Sequence, residues 1–159
     1  MTDDRAFRQQ SAELLLRLYE SRREPTLRAA REWWVTTFHP TSAKDVLATW
    51  VAPDSGPYRM VTTYWEMAAS FVTLGAIDAE MFHAANTEYV AVYAKLEPYL
   101  TELRAMTTYP EYLTHLERVV ASAPGLETKK AAIKKFLARR AAEAGAGAGA
   151  GAGARTGSA

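Results

Sequence analysis

No cysteine occurs anywhere in the 159 residues. That absence excludes a disulfide scaffold, a thiol nucleophile and any Cys-ligated zinc or iron–sulfur centre. Histidine is scarce: His39, His83 and His115 are the only three, and no two of them stand four apart. The H-E-x-x-H metalloprotease pattern is therefore missing. Glycine is scarce before the tail, with only Gly56, Gly75 and Gly125 ahead of residue 145. This leaves no G-x-S-x-G, no P-loop and no dinucleotide-binding glycine pattern. No run of about 18 apolar residues is available to cross a bilayer. The opening MTDDRAFRQQ carries no apolar stretch like that of a signal peptide, so cytoplasmic residence is expected. Alternating apolar and polar residues and Asn-Gly or Asp-Gly turns are missing too, which argues against strands and hairpins.

What the chain does have is helical punctuation. Pro25 breaks an opening helix that Asp3 or Asp4 caps. A stretch over 26–38 places Leu27, Ala30, Trp34 and Phe38 on one face, with Trp33 at the edge of that face. Ser42 and Asp45 form a capping box for a short helix over 43–51. Pro57 suits the first position of a helix over 58–74, YRMVTTYWEMAASFVTL. On a helical wheel its polar residues, Arg59, Thr62, Thr63, Glu66, Ser70 and Thr73, occupy an arc of roughly 100°. Its apolar residues, Tyr64 and Trp65 among them, fill the rest, so this is the central helix of a bundle and the polar stripe is its route to water. Gly75 suits a left-handed helix end and Asp78 the next N-cap. A helix over 79–97 follows, then a helical segment after Pro98. Thr108 and Glu111 predict a capping box for a helix over 109–122. The reading is an all-α single bundle of five to seven helices over 1–144, followed by a disordered Gly/Ala-rich tail over 145–159.

Charge is distributed unevenly. Residues 1–125 hold 12 Lys and Arg against 16 Asp and Glu, a net of −4, and residues 126–159 hold 7 against 2, a net of +5. The helix over 126–144 is thus a basic segment, expected to dock only loosely on an acidic body. Lys129, Lys130, Lys134 and Lys135 are its candidate contacts to nucleic acid or an anionic membrane surface. A solvated helix end is the plainer alternative.

Chemistry is thinly represented. Glu80-x-x-His83 has the spacing of one di-iron half-site, but the second Glu-x-x-His is lacking and the wheel turns His83 toward solvent. No metal and no cofactor are expected. Arg31 and His39 are too far apart for the Arg–His spacing of a helical ribonuclease. The remaining site candidate is the polar stripe. Glu66 there is either a general base at the mouth of an aromatic pocket with Tyr64 and Trp65, or a surface carboxylate paired with Arg59. Association has its own signals in the edge residue Trp33 and in a small-residue face of Ala84, Ala91 and Ala94. The leading expectation is a non-enzymatic protein acting through association with a partner or with itself. A ligand site or enzyme centred on Glu66 is the alternative, and the basic C-terminal helix gives a third.

Three segments, REWWVTTFHPTS, YRMVTTYWEMAASFVTLGAID and MFHAANTEYVAVYAKLEPYL, carry a resemblance. An aromatic pair, then Phe-x-Pro, then a helix bearing Tyr64-Trp65, Met67 and Ser70 occur in this order over residues 33–100. In these features the sequence resembles an uncharacterised bacterial helical family catalogued as a domain of unknown function. The resemblance implies an all-α fold and brings no activity, cofactor or catalytic residue with it.

Overall fold

In the computed structural model, which describes residues 2–153 and side chains from Asp4 to Glu143, helix ends fall where the local chemistry places them. Glu24 caps α2 (Pro25–Thr36) by accepting from the Leu27 N–H at 2.9 Å. Ser42 caps α3 (Ala43–Val51) by accepting from the Asp45 N–H at 3.1 Å. Asp45 reaches back past the cap to accept from the N–H and hydroxyl of Thr41, one residue earlier than a reciprocal capping box requires. Gly75 takes φ +79° at the end of α4 (Gly56–Thr73), and the Ala76 N–H turns back to the Phe71 carbonyl. Asp78 then caps α5 (Ala79–Ala85).

The remaining elements are α1 (Thr2–Arg22), α6 (Glu88–Leu96), a 3-10 turn (Glu97–Tyr99), α7 (Leu100–Thr107), α8 (Thr114–Ala121) and α9 (Leu126–Gly153). The fold is all-α, with nine α-helices and no strand among the described residues. That is more helices than the five to seven expected, and two stretches depart from their expected bounds. The stretch expected as one helix over 79–97 is broken, because Asn86 adopts extended backbone and α6 restarts after Thr87. The helix expected from 109 begins only at Thr114. Thr108, expected as its N-cap, instead ends α7 in the left-handed conformation at φ 51°.

Helix α4 is central, as its wheel implied. It packs most extensively between α2 and α8, and also touches α3 and α6. Tyr58, Val61, Tyr64, Trp65, Ala68 and Ala69 of α4 are buried, so the aromatics of this helix are core. The core runs on through Trp34, Phe38, Phe82, Tyr89, Leu96, Leu103 and Leu116. Aromatic rings form a connected chain across it, from Trp33 stacked on Phe38 at 5.3 Å, through Trp34 and Tyr58, to Trp50 stacked on Tyr112 at 4.4 Å. Ring pairs at such separations add to stability beyond the area they bury.

Helix α9 lies over α6 and α2. Of its large apolar residues, only Leu126 and Ile133 pack against the core. Lys130 pairs with Glu97 and sits 5.9 Å from the Tyr93 ring centre. The backbone of 145–153 continues α9 past the expected end at 144. The rest of the tail expected to be disordered, residues 154–159, lies outside the described residues. A Cβ at Gly145 would meet nothing within 4 Å, so little packing begins there. Deleting residues 145–159 is accordingly expected to move the thermal midpoint by no more than about a degree, since the sequence from Gly145 to Ala154 has no side chain larger than a methyl to bury. Hydrogen exchange should show α9 opening more readily than α4, with the difference widening as salt screens the Lys130–Glu97 pair. Equal protection of the two helices at every salt concentration would place α9 in the cooperative core.

Candidate functional site

Glu66 projects from the polar stripe of α4 toward the start of α8. Leu113 occupies the N-cap position of α8 and has no side-chain oxygen to offer. Glu66 takes over that role from another helix. Its Oε1 accepts from the His115 N–H at 3.0 Å and its Oε2 from the Leu116 N–H at 2.8 Å. These are the second and third residues of α8, the donors a local cap would satisfy, and a carboxylate also suits the positive end of the helix. On the other side of Leu113, Arg104 donates to the Tyr112 carbonyl through Nε and Nη2. Leu113 itself holds φ 58°, a left-handed conformation that costs a non-glycine residue about 1–2 kcal/mol. Bonds on both flanks offset that strain.

The stripe is therefore only partly open to water. Arg59 and Thr63 are exposed, Glu66, Ser70 and Thr73 are half-buried, and Thr62 is 2% exposed with its hydroxyl donating to the Tyr58 carbonyl. Together with α3, the α7–α8 loop and the start of α8, it forms a groove of about 550 Å³. Trp50, Tyr109 and Tyr112 make its aromatic wall, and Met67, Glu66, Glu111 and His115 also line it. The Tyr112 hydroxyl lies 2.6 Å from that of Tyr58, and burial pushes the Tyr112 phenol up to about 12. His115 Nδ1 lies 2.6 Å from Thr73 Oγ1. Thr73 does not line the groove, so this contact orients the imidazole and presents no hydroxyl to a bound molecule.

The expected quartet of Arg59, Glu66, Tyr64 and Trp65 is not one site. Arg59 forms no ion pair with Glu66 among the described residues. Tyr64 and Trp65 belong to a different cluster, because successive residues on a helix point about 100° apart. The Tyr64 hydroxyl donates to the Leu18 carbonyl at 2.6 Å. The Trp65 indole N–H points at Glu88 Oε1 at 3.4 Å. Glu88 is the centre of this second cluster. It accepts from Arg31 Nε at 2.7 Å and from Arg22 Nη2 at 2.9 Å, and a third bond comes from Arg31 Nη2. Arg22 also stacks over the Trp65 ring at 5.2 Å and donates to Asn86. Burial pushes the Glu88 carboxyl up, but Arg31 and Arg22 outweigh it and hold the group below its ordinary value. The cluster ties the end of α1 to α2, α4 and α6. Glu88 itself already accepts from three guanidinium N–H groups and the Trp65 indole, although Arg22 Nε is left without a partner, and this full set of donors marks the cluster as a structural tie.

The association candidates are also divided. Ala84 is exposed on α5, whereas Ala94 is buried and Ala91 faces Ile133, Phe136 and Leu137 of α9 across a groove. The break at Asn86 separates Ala84 from the other two, which sit on α6, the helix that α9 of the same chain packs against. Trp33 is half-buried beside Ala48, Ala52 and Pro57. Lys134 and Lys135 are exposed, Lys129 and Lys130 half-buried.

His83, expected in solvent, is 8% exposed. Its Nδ1 meets the Tyr89 hydroxyl at 2.8 Å and its Nε2 the Ser122 hydroxyl at 3.3 Å. Burial, and secondarily the Lys129 charge, hold its imidazole below the ordinary range. Tyr89 of α6 and Ser122 at the end of α8 cover it. Glu80 points the other way, toward Arg8 at 3.5 Å. Among the described residues, no three His, Asp or Glu side chains lie close enough together to hold a metal ion.

Sequence reasoning missed Trp50, Tyr109 and Tyr112 as groove residues, and also Lys95. The Lys95 ammonium caps the end of α2 from α6 by donating to the carbonyls of Trp34 and Phe38. Burial pushes it down to about 8. None of these has a local signal, because each partner lies tens of residues away.

Residues 9–123 match the family model described as Domain of unknown function (DUF4760). The chain belongs to this family. The DUF4760 match extends well beyond 33–100 on both sides and takes in the Glu66 groove and the Glu88 cluster, while α9 lies outside it. No curated protein and no solved structure matches. No helix of the described residues is long and apolar enough to cross a membrane.

Proposed function

We propose that this DUF4760 protein works by association, through the face made by α1 and α5. One observation supports this reading above the others. Leu16 and Tyr19 of α1 stand 63% and 58% exposed beside a groove of about 590 Å³ that Ala12, Met81, Ala84 and Ala85 line. Large side chains and a shallow hollow of alanines share one face. Such a face is complementary to itself, since a two-fold axis sets each copy's Leu16 and Tyr19 into the other's hollow. Alanines let the two backbones approach closely. Of the expected association residues, only Ala84 takes part in this face. A second copy of the chain is thus the first partner to test.

Light scattering coupled to size-exclusion chromatography at tens of micromolar should give a dimer. Leu16→Asp should shift it to monomer, because it places a charge in an apolar contact. A strict wild-type monomer would end the self-association reading. A partner protein captured by wild type and lost with Leu16→Asp would then keep the face and change its occupant.

A further inference from the structure

We infer that the Glu66 groove is a receptor for an organic cation: an alkylammonium group on an apolar stem. The charge balance of its lining is the first reason. Two carboxylates, Glu66 and Glu111, line it, and no lysine or arginine does. His115 is its one basic group, and its Nδ1 is already engaged by Thr73. The positive end of α8, which would otherwise favour an anion, is occupied by Glu66. Each Glu66 oxygen accepts one backbone N–H and keeps capacity for a second donor.

The walls give the second reason. Half-buried Trp50 and 48% exposed Tyr109 flank buried Tyr112, and Met67 stands 43% exposed beside them. Aromatic rings attract ammonium groups electrostatically, and a thioether packs adaptably against an alkyl stem. The volume, about 550 Å³, matches a small ligand or one long side chain. Exposed Tyr109 packs its ring 6.0 Å from that of Tyr112, and neither it nor exposed Glu111 forms a side-chain hydrogen bond or ion pair among the described residues. The flanking loop holds left-handed Thr108 and Leu113, and strained backbone of this kind gathers at binding sites. The ammonium is carried either by a free amine or by a basic side chain of a peptide, and the chemistry of recognition is shared.

The test is a nuclear magnetic resonance titration of the full chain with hexylammonium, using hexanol and hexanoate as controls of equal stem length. Shifts should centre on the Trp50 indole and the amides of Thr63, Glu111 and His115, with a dissociation constant of about 0.1–1 mM. Hexanol should bind at least several-fold more weakly, and hexanoate more weakly still. Glu111→Gln, at an exposed position without bonds to lose, should weaken the cation about three- to tenfold and leave hexanol unchanged. Equal binding of hexanol or hexanoate, no shift at Trp50 up to 20 mM, or undiminished cation binding in Glu111→Gln each overturns the proposal. A parallel titration with acetyl-Leu-Lys-Leu-amide distinguishes the sources: tighter binding than hexylammonium assigns a peptide side chain, and weaker binding assigns a free amine.

Discussion

Glu88→Ala is expected to destabilise the protein by about 3–5 kcal/mol, the range for breaking a buried ion pair from one side. For a domain of this size that is a fall in thermal midpoint of roughly 6–20 °C. The reason lies in what remains. Arg22 and Arg31, at 17% and 25% side-chain exposure, would face each other without the carboxylate that both now contact. Trp65 Nε1 would lose its acceptor. Glu88→Gln should cost less, since the amide oxygen still accepts one guanidinium bond while the charge is lost. Acid should narrow the difference between wild type and Glu88→Gln. The Glu88 pKa is lowered from 4.5 in the folded protein, so below about pH 4.5 the unfolded chain takes up the proton first. The stabilisation is complete above that pH and is lost as pH falls through the depressed folded value. Urea unfolding at pH 7, 5 and 3 measures all three variants. A loss below 1 kcal/mol for Glu88→Ala at pH 7 would show that the cluster adds nothing net.

Glu66→Ala is expected to cost about 2–3 kcal/mol. Hydrogen bonds to a charged group contribute roughly 1.5–3 kcal/mol each, and the half-exposed setting brings two of them to or below the low end of their sum. An ordinary surface carboxylate would change stability by no more than about 0.5 kcal/mol. The loss should be local in character. Amides of His115, Leu116 and the Thr108–Leu113 loop should exchange faster, because Leu113 cannot cap α8 and its strained conformation loses one of its two flanking supports. Glu66→Gln retains one acceptor oxygen and should fall between wild type and alanine. Identical stabilities of the Gln and Ala variants would contradict the two-bond cap.

Much of the fold is written locally. Ser42, Glu24, Gly75 and Asp78 end or start helices within a turn of themselves, so an N-cap oxygen or a left-handed glycine reveals its element without any tertiary partner. The burial of Tyr64 and Trp65 also follows from periodicity, since a helix apolar around most of its circumference must be covered. Where the sequence misleads, a distant group has taken over a local job. Thr108 and Glu111 have the spacing of a capping box, yet α8 starts five residues past the expected point and Glu66, nearly fifty residues upstream, caps it. His83 looks solvated on a long ideal helix and is buried under Tyr89 and Ser122. The Glu88 cluster and the Lys95 cap join residues 57 to 66 positions apart, and no pairwise pattern in one sequence links them. Sequence alone settled the all-α class, the central helix and most helix ends, because those depend on side chains within one or two turns of each other. Tertiary structure decided which charges are paired, which helix ends are capped from afar and where grooves lie open, because those depend on which segments meet when the chain closes around its core.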